Sequence, residues 1–266
     1  MDKSTRPSDR TSLISLRDLT LCHGGKTIQA HLSFDVRRGS IFAIMGGSGA
    51  GKSTALRSMI GLLAPRSGAM LVEGEDYWAL GASERTRIGR RFGVLFQSGA
   101  LWSSLTVGEN VALPMRMLTD MDSSTIGRMV TLKLALVGLD AATDLFPAQL
   151  SGGMVKRAGL ARALALDPDV LFLDEPASGL DPVSARHLDD LILDLRDALH
   201  ATIVIVSHDL ANLFATADDG VFLDGDTHTA IAHGSPTMLR DRSEDPRIQA
   251  FMRRADTAPT SVREVI

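Results

Sequence analysis

The stretch GGSGAGKST at 46–54 satisfies the spacing G-x-x-x-x-G-K-S, a pattern whose chemistry is phosphate capture. Gly46, Gly49 and Gly51 allow backbone angles that turn N–H groups inward around an anion. The expected cradle is the whole run Gly46, Gly47, Ser48, Gly49, Ala50 and Gly51. Lys52 supplies a point charge for β- and γ-phosphates, Ser53 a hydroxyl ligand for Mg²⁺, and Thr54 a further hydroxyl. A helix leaving this loop adds the positive end of its dipole. GGKT at 24–27 is a decoy: Thr20 stands where the first glycine belongs, and no apolar strand leads into it.

Two carboxylates end the apolar run VLFLDE at 170–175. Delivered to a sheet edge by a buried strand, Asp174 suits the Mg²⁺-associated acid of a phosphate-loop site. Glu175 suits the group that orients or deprotonates the attacking water. Such a pair is often only a solvated strand end, and a lone histidine is often structural. Here the run TIVIVSHD sets His208 at a second strand end, where ligands gather in open α/β sheets. Gln97, in VLFQSGALW, follows a third apolar run and offers a neutral amide to Mg²⁺ or the water. In LSGGMVKRAGLARAL, the turn Ser151, Gly152, Gly153 presents backbone N–H groups at a helix start. Met154, Ala158, Ala161 and Ala165 then mark the expected buried stripe, with Lys156, Arg157 and Arg162 on the polar side.

The elements needed to hold these residues are legible as an α/β pattern. Residues 12–39 alternate as antiparallel strands, with turns at Gly24-Gly25 and Arg38-Gly39. SIFAIM, a glycine loop and a helix follow as half of a βαβ unit. After 170, apolar strands alternate with helices, which predicts a mostly parallel sheet covered on both faces. Between the α/β portions, 98–160 is rich in Leu, Met and Ala. It is expected as an inserted helical subdomain with breaks at Pro114, Asp120–Asp122 and Pro147. Residues 1–11 are expected as a disordered lead, 12–235 as the nucleotide-binding domain and 236–266 as a C-terminal extension.

Composition narrows the function classes. Of 266 residues, 28 are Lys or Arg and 32 Asp or Glu, so no global basic field argues for nucleic acid. The single cysteine, Cys22, excludes an intrachain disulfide and a CxxC metal site. The longest apolar runs fall well short of the ~20 residues that span a bilayer. The polar start lacks a secretory apolar region, so a cytosolic chain is expected unless a partner holds it at a membrane.

The motifs in this order, 46–54, Gln97, LSGG 150–153, LFLDEP 171–176, SGLD 178–181 and His208, resemble the ATP-binding cassette (ABC) ATPases across 12–235. The resemblance implies a P-loop cassette fold, ATP and Mg²⁺ as cofactors, and hydrolysis to ADP and phosphate. It implies two cassettes closing head to tail as a homodimer. Ser151, Gly152 and Gly153 of one chain would then cap the ATP held by Lys52 of the other, and Asp181 would link the two sites. An aromatic side chain stacks on adenine in such proteins. His23 is the nearest candidate here, and a plain turn residue is an equal reading.

FQSGALW, LSGGMVKRAGLARALALDP, AHGSP and DPRIQAF further resemble the ATPases of Mla/Mce-type phospholipid transport systems, with SGGM as the sharpest mark. That likeness implies peripheral attachment on the cytoplasmic side of the inner membrane through a transmembrane permease. Further implied partners are an MCE-domain lipid-binding protein and a STAS-domain regulator. The permease is expected to touch Gln97 and the following SGALWSSLT, where Leu101 and Trp102 would be exposed for docking or buried as subdomain core. Amino-acid or lipoprotein transport shares every catalytic residue. A soluble nucleic-acid- or ribosome-associated ATPase is the remaining alternative, and the slightly acidic charge disfavours it.

Overall fold

In a computed structural model, the described residues are 12–253. The expected disordered lead at 1–11 and the end of the C-terminal extension lie outside them. The chain opens with β1 (Ser12–His23) and β2 (Lys26–Arg37), then β3 (Ile41–Gly46) and α1 (Lys52–Met59). Next come β4 (Ser67–Val72), β5 (Glu75–Asp76), α2 (Ala82–Gly89) and β6 (Phe92–Leu95). The helical stretch follows as α3 (Val107–Leu118), α4 (Ser123–Leu136) and α5 (Gly152–Ala163). The chain continues as β7 (Val170–Asp174), α6 (Pro182–Leu199), β8 (Thr202–Val206) and α7 (Leu210–Thr216). It closes with β9 (Asp219–Asp224), β10 (Thr229–His233), α8 (Pro236–Arg242) and α9 (Pro246–Met252).

The larger sheet runs β10-β9-β3-β8-β7-β6, parallel throughout except for the β9–β10 hairpin. Its central strands are apolar without alternation because both faces are covered; all of IFAIMG and TIVIV is buried. Ile41, Ala43 and Met45 face a core built with the helices, including Val111, Leu160 and Ile192. Phe42 and Ile44 face a second core shared with β1, β2, β4 and α1. The smaller sheet, β2-β1-β4-β5, is antiparallel. Gly24 and Gly25 both have positive φ, and His23 pairs with Lys26, so a two-residue turn joins its first two strands. The pattern expected over 12–39 covers only this hairpin. The partner strands β4 and β5 and helix α2 come from 67–89, outside that pattern.

The segment 98–160 holds α3, α4 and most of α5. Thr106 and Glu109 form a reciprocal capping box that starts α3. Asp122 caps α4 through Thr125 N–H, and Pro147 opens a short 3₁₀ turn. Pro114 does not break the chain as expected, because it sits inside α3. Its ring forfeits one helical hydrogen bond, but α3 packs against both α4 and α5. Buried Asn110 also ties the start of the helix to Trp102, Leu105 and Thr106 through its side-chain amide. Tertiary packing therefore outweighs local propensity at this position. From the C-terminal extension, Leu239, Ile248, Phe251 and Met252 are buried in the core that the helices share.

Candidate functional site

Parallel pairing brings the C-terminal ends of β3, β6, β7 and β8 to one edge of the sheet, and the chemistry-bearing residues leave from those ends. At β3, Gly46 has φ 144°, and a Cβ there would stand 2.3 Å from Leu223 O. Gly51 has φ 84°, with a Cβ meeting Ile28 Cγ2 at 2.7 Å. Glycine is therefore required at both positions by fit as well as by backbone angle. The loop is braced from outside: Gln29, fully buried, donates from Nε2 to Ala50 O at 2.8 Å and to Asp224 O at 2.9 Å. Gly51 caps α1 with no side-chain acceptor, which leaves first-turn N–H groups for an anion.

Lys52 is buried and donates from Nζ to Gly46 O and Gly47 O, each at 2.9 Å. Burial pulls its pKa down, and the negative charges of Glu175 and Asp174 oppose the shift. Ser53 is exposed one residue beyond, with Thr54 half-buried beside it. Ser48 and Gly49 are exposed on the loop, and Gly47 is half-buried.

Asp174 ends β7 with Oδ1 buried and without a hydrogen-bond partner among the described residues. Burial raises its pKa, and the Glu175 carboxylate adds to the rise against Arg57, Lys52 and Lys156. A desolvated, unpartnered carboxylate oxygen near a phosphate loop suits a hard divalent cation such as Mg²⁺. The Ser53 hydroxyl and the Gln97 amide oxygen complete a chemically consistent donor set. Gln97 itself donates from Nε2 to Ser178 Oγ at 3.3 Å.

Glu175 is held by its main chain. It has φ 50°, in the left-handed region, a conformation that costs about 1–3 kcal/mol for a residue with a side chain. Glu175 N donates to Val206 O at 2.8 Å, which fixes the bend against β8. His208 Nδ1 lies 2.7 Å from Glu175 Oε1, so the histidine and the carboxylate meet directly. The next residue, Asp209, caps α7 by accepting from Ala211 N–H and anchors that loop.

Lys52, Asp174, Glu175, His208 and Gln97 are thus brought to one edge. Outside the glycine loop and α1, the remaining sequence candidates make other contacts in this chain. Ser151 is exposed and caps α5 by accepting from Met154 N–H at 3.3 Å. A Cβ on Gly152 would meet Leu180 at 3.6 Å, and one on Gly153 would meet Ser184 at 3.5 Å. Asp181 caps α6 by accepting from Val183 and Ser184 N–H, and bonds with Ser184 hold its pKa low. No hydrogen bond among the described residues joins Ser151, Gly152, Gly153 or Asp181 to the phosphate loop. His23 is exposed at the end of β1, before the glycine turn.

The structure corrects three expectations about side chains. Lys156, assigned to a polar helix face, is buried, and its Nζ bonds Gln97 O and, at 3.0 Å, Glu175 O. The sequence carried one signal for this. The small residues of GLARALAL imply close packing around α5, so a cation there needs an internal acceptor. Met154 is only half-buried at the start of the stripe that Ala158, Ala161 and Ala165 continue as buried residues. Leu101 is half-buried against the helical core, whereas Trp102 is 61% exposed.

The sequence profile of the family described as "ABC transporter" matches residues 30–178. The Escherichia coli K12 protein named intermembrane phospholipid transport system ATP-binding protein MlaF is 41% identical over 241 residues, covering 91% of this chain and 88% of that protein. The Mycobacterium leprae protein named probable ribonucleotide transport ATP-binding protein mkl is 39% identical over 251 residues, covering 94% and 72%. Among solved structures, the dimeric post-hydrolysis ATP-binding cassette MJ0796 bound to ADP and Pi superimposes with a TM-score of 0.75. It has 27% identity and covers 83% of this chain and 97% of that one. The cbiO1 structure from Clostridium perfringens, part of the cbiONQ complex, gives a TM-score of 0.78 at 26% identity, covering 86% and 90%.

Proposed function

The chain belongs to the ABC transporter ATPases, and from that premise we propose that it energises phospholipid transport through a partner permease. As a member of that family it binds ATP and hydrolyses it to ADP and phosphate. The observation that carries the reading is the meeting of Glu175, His208, Asp174 and Lys52 at one sheet edge beside the glycine loop.

In this reading the loop N–H groups and the first turn of α1 bind the phosphate oxygens, and Lys52 exchanges its bonds to Gly46 O and Gly47 O for the β/γ-phosphates. Asp174, Ser53 and Gln97 would hold Mg²⁺, which supplies charge neutralisation on the phosphate oxygens. The Glu175 carboxylate accepts a proton from water as the water oxygen bonds to the γ-phosphorus. The bond to the bridging oxygen breaks, and that electron pair leaves with ADP. His208 holds the Glu175 side chain through Nδ1 and offers its other ring edge to the γ-phosphate. Ser151, Gly152 and Gly153, which have no hydrogen bond to the phosphate loop among the described residues, cap the nucleotide of a second copy, with Asp181 linking the two sites. His23 serves as the adenine contact.

Among the described residues no helix is long and apolar enough to cross a membrane, which fits a peripheral subunit that takes its membrane partner in trans. Exposed Trp102 and the groove lined by Tyr77, Arg85, Phe92, Pro114 and Leu118 offer the permease an apolar seat. We place the subunit on the cytoplasmic side of the inner membrane, with MCE-domain and STAS-domain proteins as further partners. The relatives carry two substrate names, and the phospholipid one is favoured because that relative is matched over 88% of its length.

The test is co-purification from membranes followed by reconstitution with the recovered permease in phospholipid vesicles. ATP-dependent movement of labelled phospholipid is expected. ATP hydrolysis that moves ribonucleotides and no lipid would refute the lipid reading. Salt-sensitive retention on DNA or ribosomes with no permease would refute transport.

A further inference from the structure

Lys156 is a cation that no part of the proposed reaction uses, and it lies beside the reacting edge. It is 5% exposed, on the second turn of α5, the helix that Ser151 caps. Both of its hydrogen bonds end on main-chain carbonyls, those of Gln97 and Glu175. No carboxylate pairs with its ammonium directly among the described ion pairs, although Glu175 and Asp174 act on it through space. An ammonium is costly to bury, and one kept here with carbonyl partners alone fixes the distance between the two segments it joins.

Those segments need fixing. Glu175 sits at φ 50°, a bend that persists only where its surroundings hold it. The loop after β6 is pressed onto the same helix. A Cβ on Gly159 would stand 2.8 Å from Leu95 Cδ1 and 3.1 Å from Gly99 O. Arg162 adds bonds to Ala100 O at 2.6 Å and Gly99 O at 3.0 Å. The helix, the loop of Gln97 and the bend of Glu175 are therefore one mechanical unit, and Lys156 is the only side chain bonded to both of the latter among the described residues.

We infer that Lys156 is a positioning residue for hydrolysis, holding the Gln97 and Glu175 main chains in register so that amide and carboxylate reach the same water. The inference rests on the proposed role of Glu175. It also makes α5 serve two sites at once. The helix whose Ser151 end reads the partner's nucleotide carries, one turn on, the brace of its own hydrolytic edge.

Lys156→Met removes the donors while keeping the chain's bulk, and Lys156→Arg restores donors and charge. Both are compared with the parent and Glu175→Gln, as full-length chains with Mg-ATP, for kcat, nucleotide Kd and melting temperature. A misplacement of about 1 Å at a reacting group costs about 10²-fold in rate. The Met variant is accordingly expected to lose about that factor in kcat with Kd within about threefold of the parent, and the Arg variant to recover at least about tenfold. A Met variant with parental kcat overturns the inference, as does a parallel fall of kcat, nucleotide affinity and melting temperature that Arg fails to repair. If the Met variant does not fold, Lys156→Gln takes its place: kcat well below that of Lys156→Arg supports the inference, and equal values overturn it. Parental turnover in Glu175→Gln overturns the reading of the glutamate and this inference with it. An inactive Glu175→Gln beside a fully active Lys156→Met removes the inference alone.

Discussion

Glu175→Gln separates the chemistry of this site from its architecture more cleanly than any other substitution. The contacts that shape the bend are main-chain contacts. Glu175 N–H bonds Val206 O, and Glu175 O accepts from Lys156, whichever side chain stands there. The left-handed strain at φ 50° is common to Glu and Gln. The new amide can still meet His208 Nδ1, now as donor where the carboxylate oxygen accepted, with the histidine taking the complementary tautomer. What disappears is one negative charge and one proton acceptor. Removing the charge also relieves the repulsion that raises the Asp174 pKa, so nucleotide and cation binding should be kept. A general base is worth about 10²–10⁴-fold, or about 2.7–5.4 kcal/mol of barrier at 1.36 kcal/mol per decade. Phosphate release at saturating ATP should therefore fall by at least about 10²-fold, while a fluorescent ATP analogue binds as before. Size-exclusion chromatography should show a dimer with ATP and a monomer with ADP. Turnover within about threefold of the parent would refute the assignment of Glu175, because the proposed mechanism gives the neighbouring carboxylate, Asp174, to the cation and leaves no other base at the site.

Lys52→Ala should lower turnover by about 10²–10³-fold or more, since it removes the charge that the proposed mechanism places on the transferring group; parental phosphate release would refute the loop assignment. Met154→Gln should leave turnover within about twofold and cost less than about 1 kcal/mol in urea unfolding, because the side chain is only half-buried and the α5 cap uses its backbone N–H. Asp189, half-buried and bonded by Asn212, has its pKa pushed up to about 6 by burial, with Asp209 and Asp190 adding to the rise. The folded state then holds that proton to higher pH than the unfolded state, so this group's contribution to stability falls as pH rises from about 4 to 6 and is flat above. Asp189→Asn should stabilise the protein by on the order of 1 kcal/mol at pH 7.5 relative to its effect at pH 4.5, and urea midpoints at the two values would show it.

What could be read from the residues alone was whatever depends on short-range pattern. IFAIM and TIVIV announce doubly covered strands, and a glycine loop between a strand and a helix has few other uses. Asp174, Glu175 and His208 were legible because each lies at or just past the end of such a strand. The region 67–89 was not, since SGAMLV becomes sheet only by pairing with β1, far away in sequence, and the two-residue β5 only by pairing with β4 in turn. Pro114 misled because its local cost is real, and what offsets it is packing from α4 and α5. Lys156 was hidden for a related reason: no periodicity reveals a cation whose acceptors are the carbonyls of Gln97 and Glu175. Ser151 and Asp181 keep their places as helix caps in the single chain, and the service to a second copy proposed for them leaves no mark there.

The cations of α5 share a habit with an evolutionary consequence. Lys156, Arg157 and Arg162 all end on main-chain carbonyls, at Gln97 and Glu175, at Val137 and Gly138, and at Gly99 and Ala100. Every amino acid brings a carbonyl, so mutation at a contacted position leaves the acceptor in place, whereas mutation of the cation deletes the bond. The loop proposed to touch a permease can therefore drift with its partner while its attachment to the ATPase persists. Variation should be tolerated at Ala100 or Val137 and punished at the three basic positions. A lineage could change its transport partner by rewriting the loop and still keep the same engine.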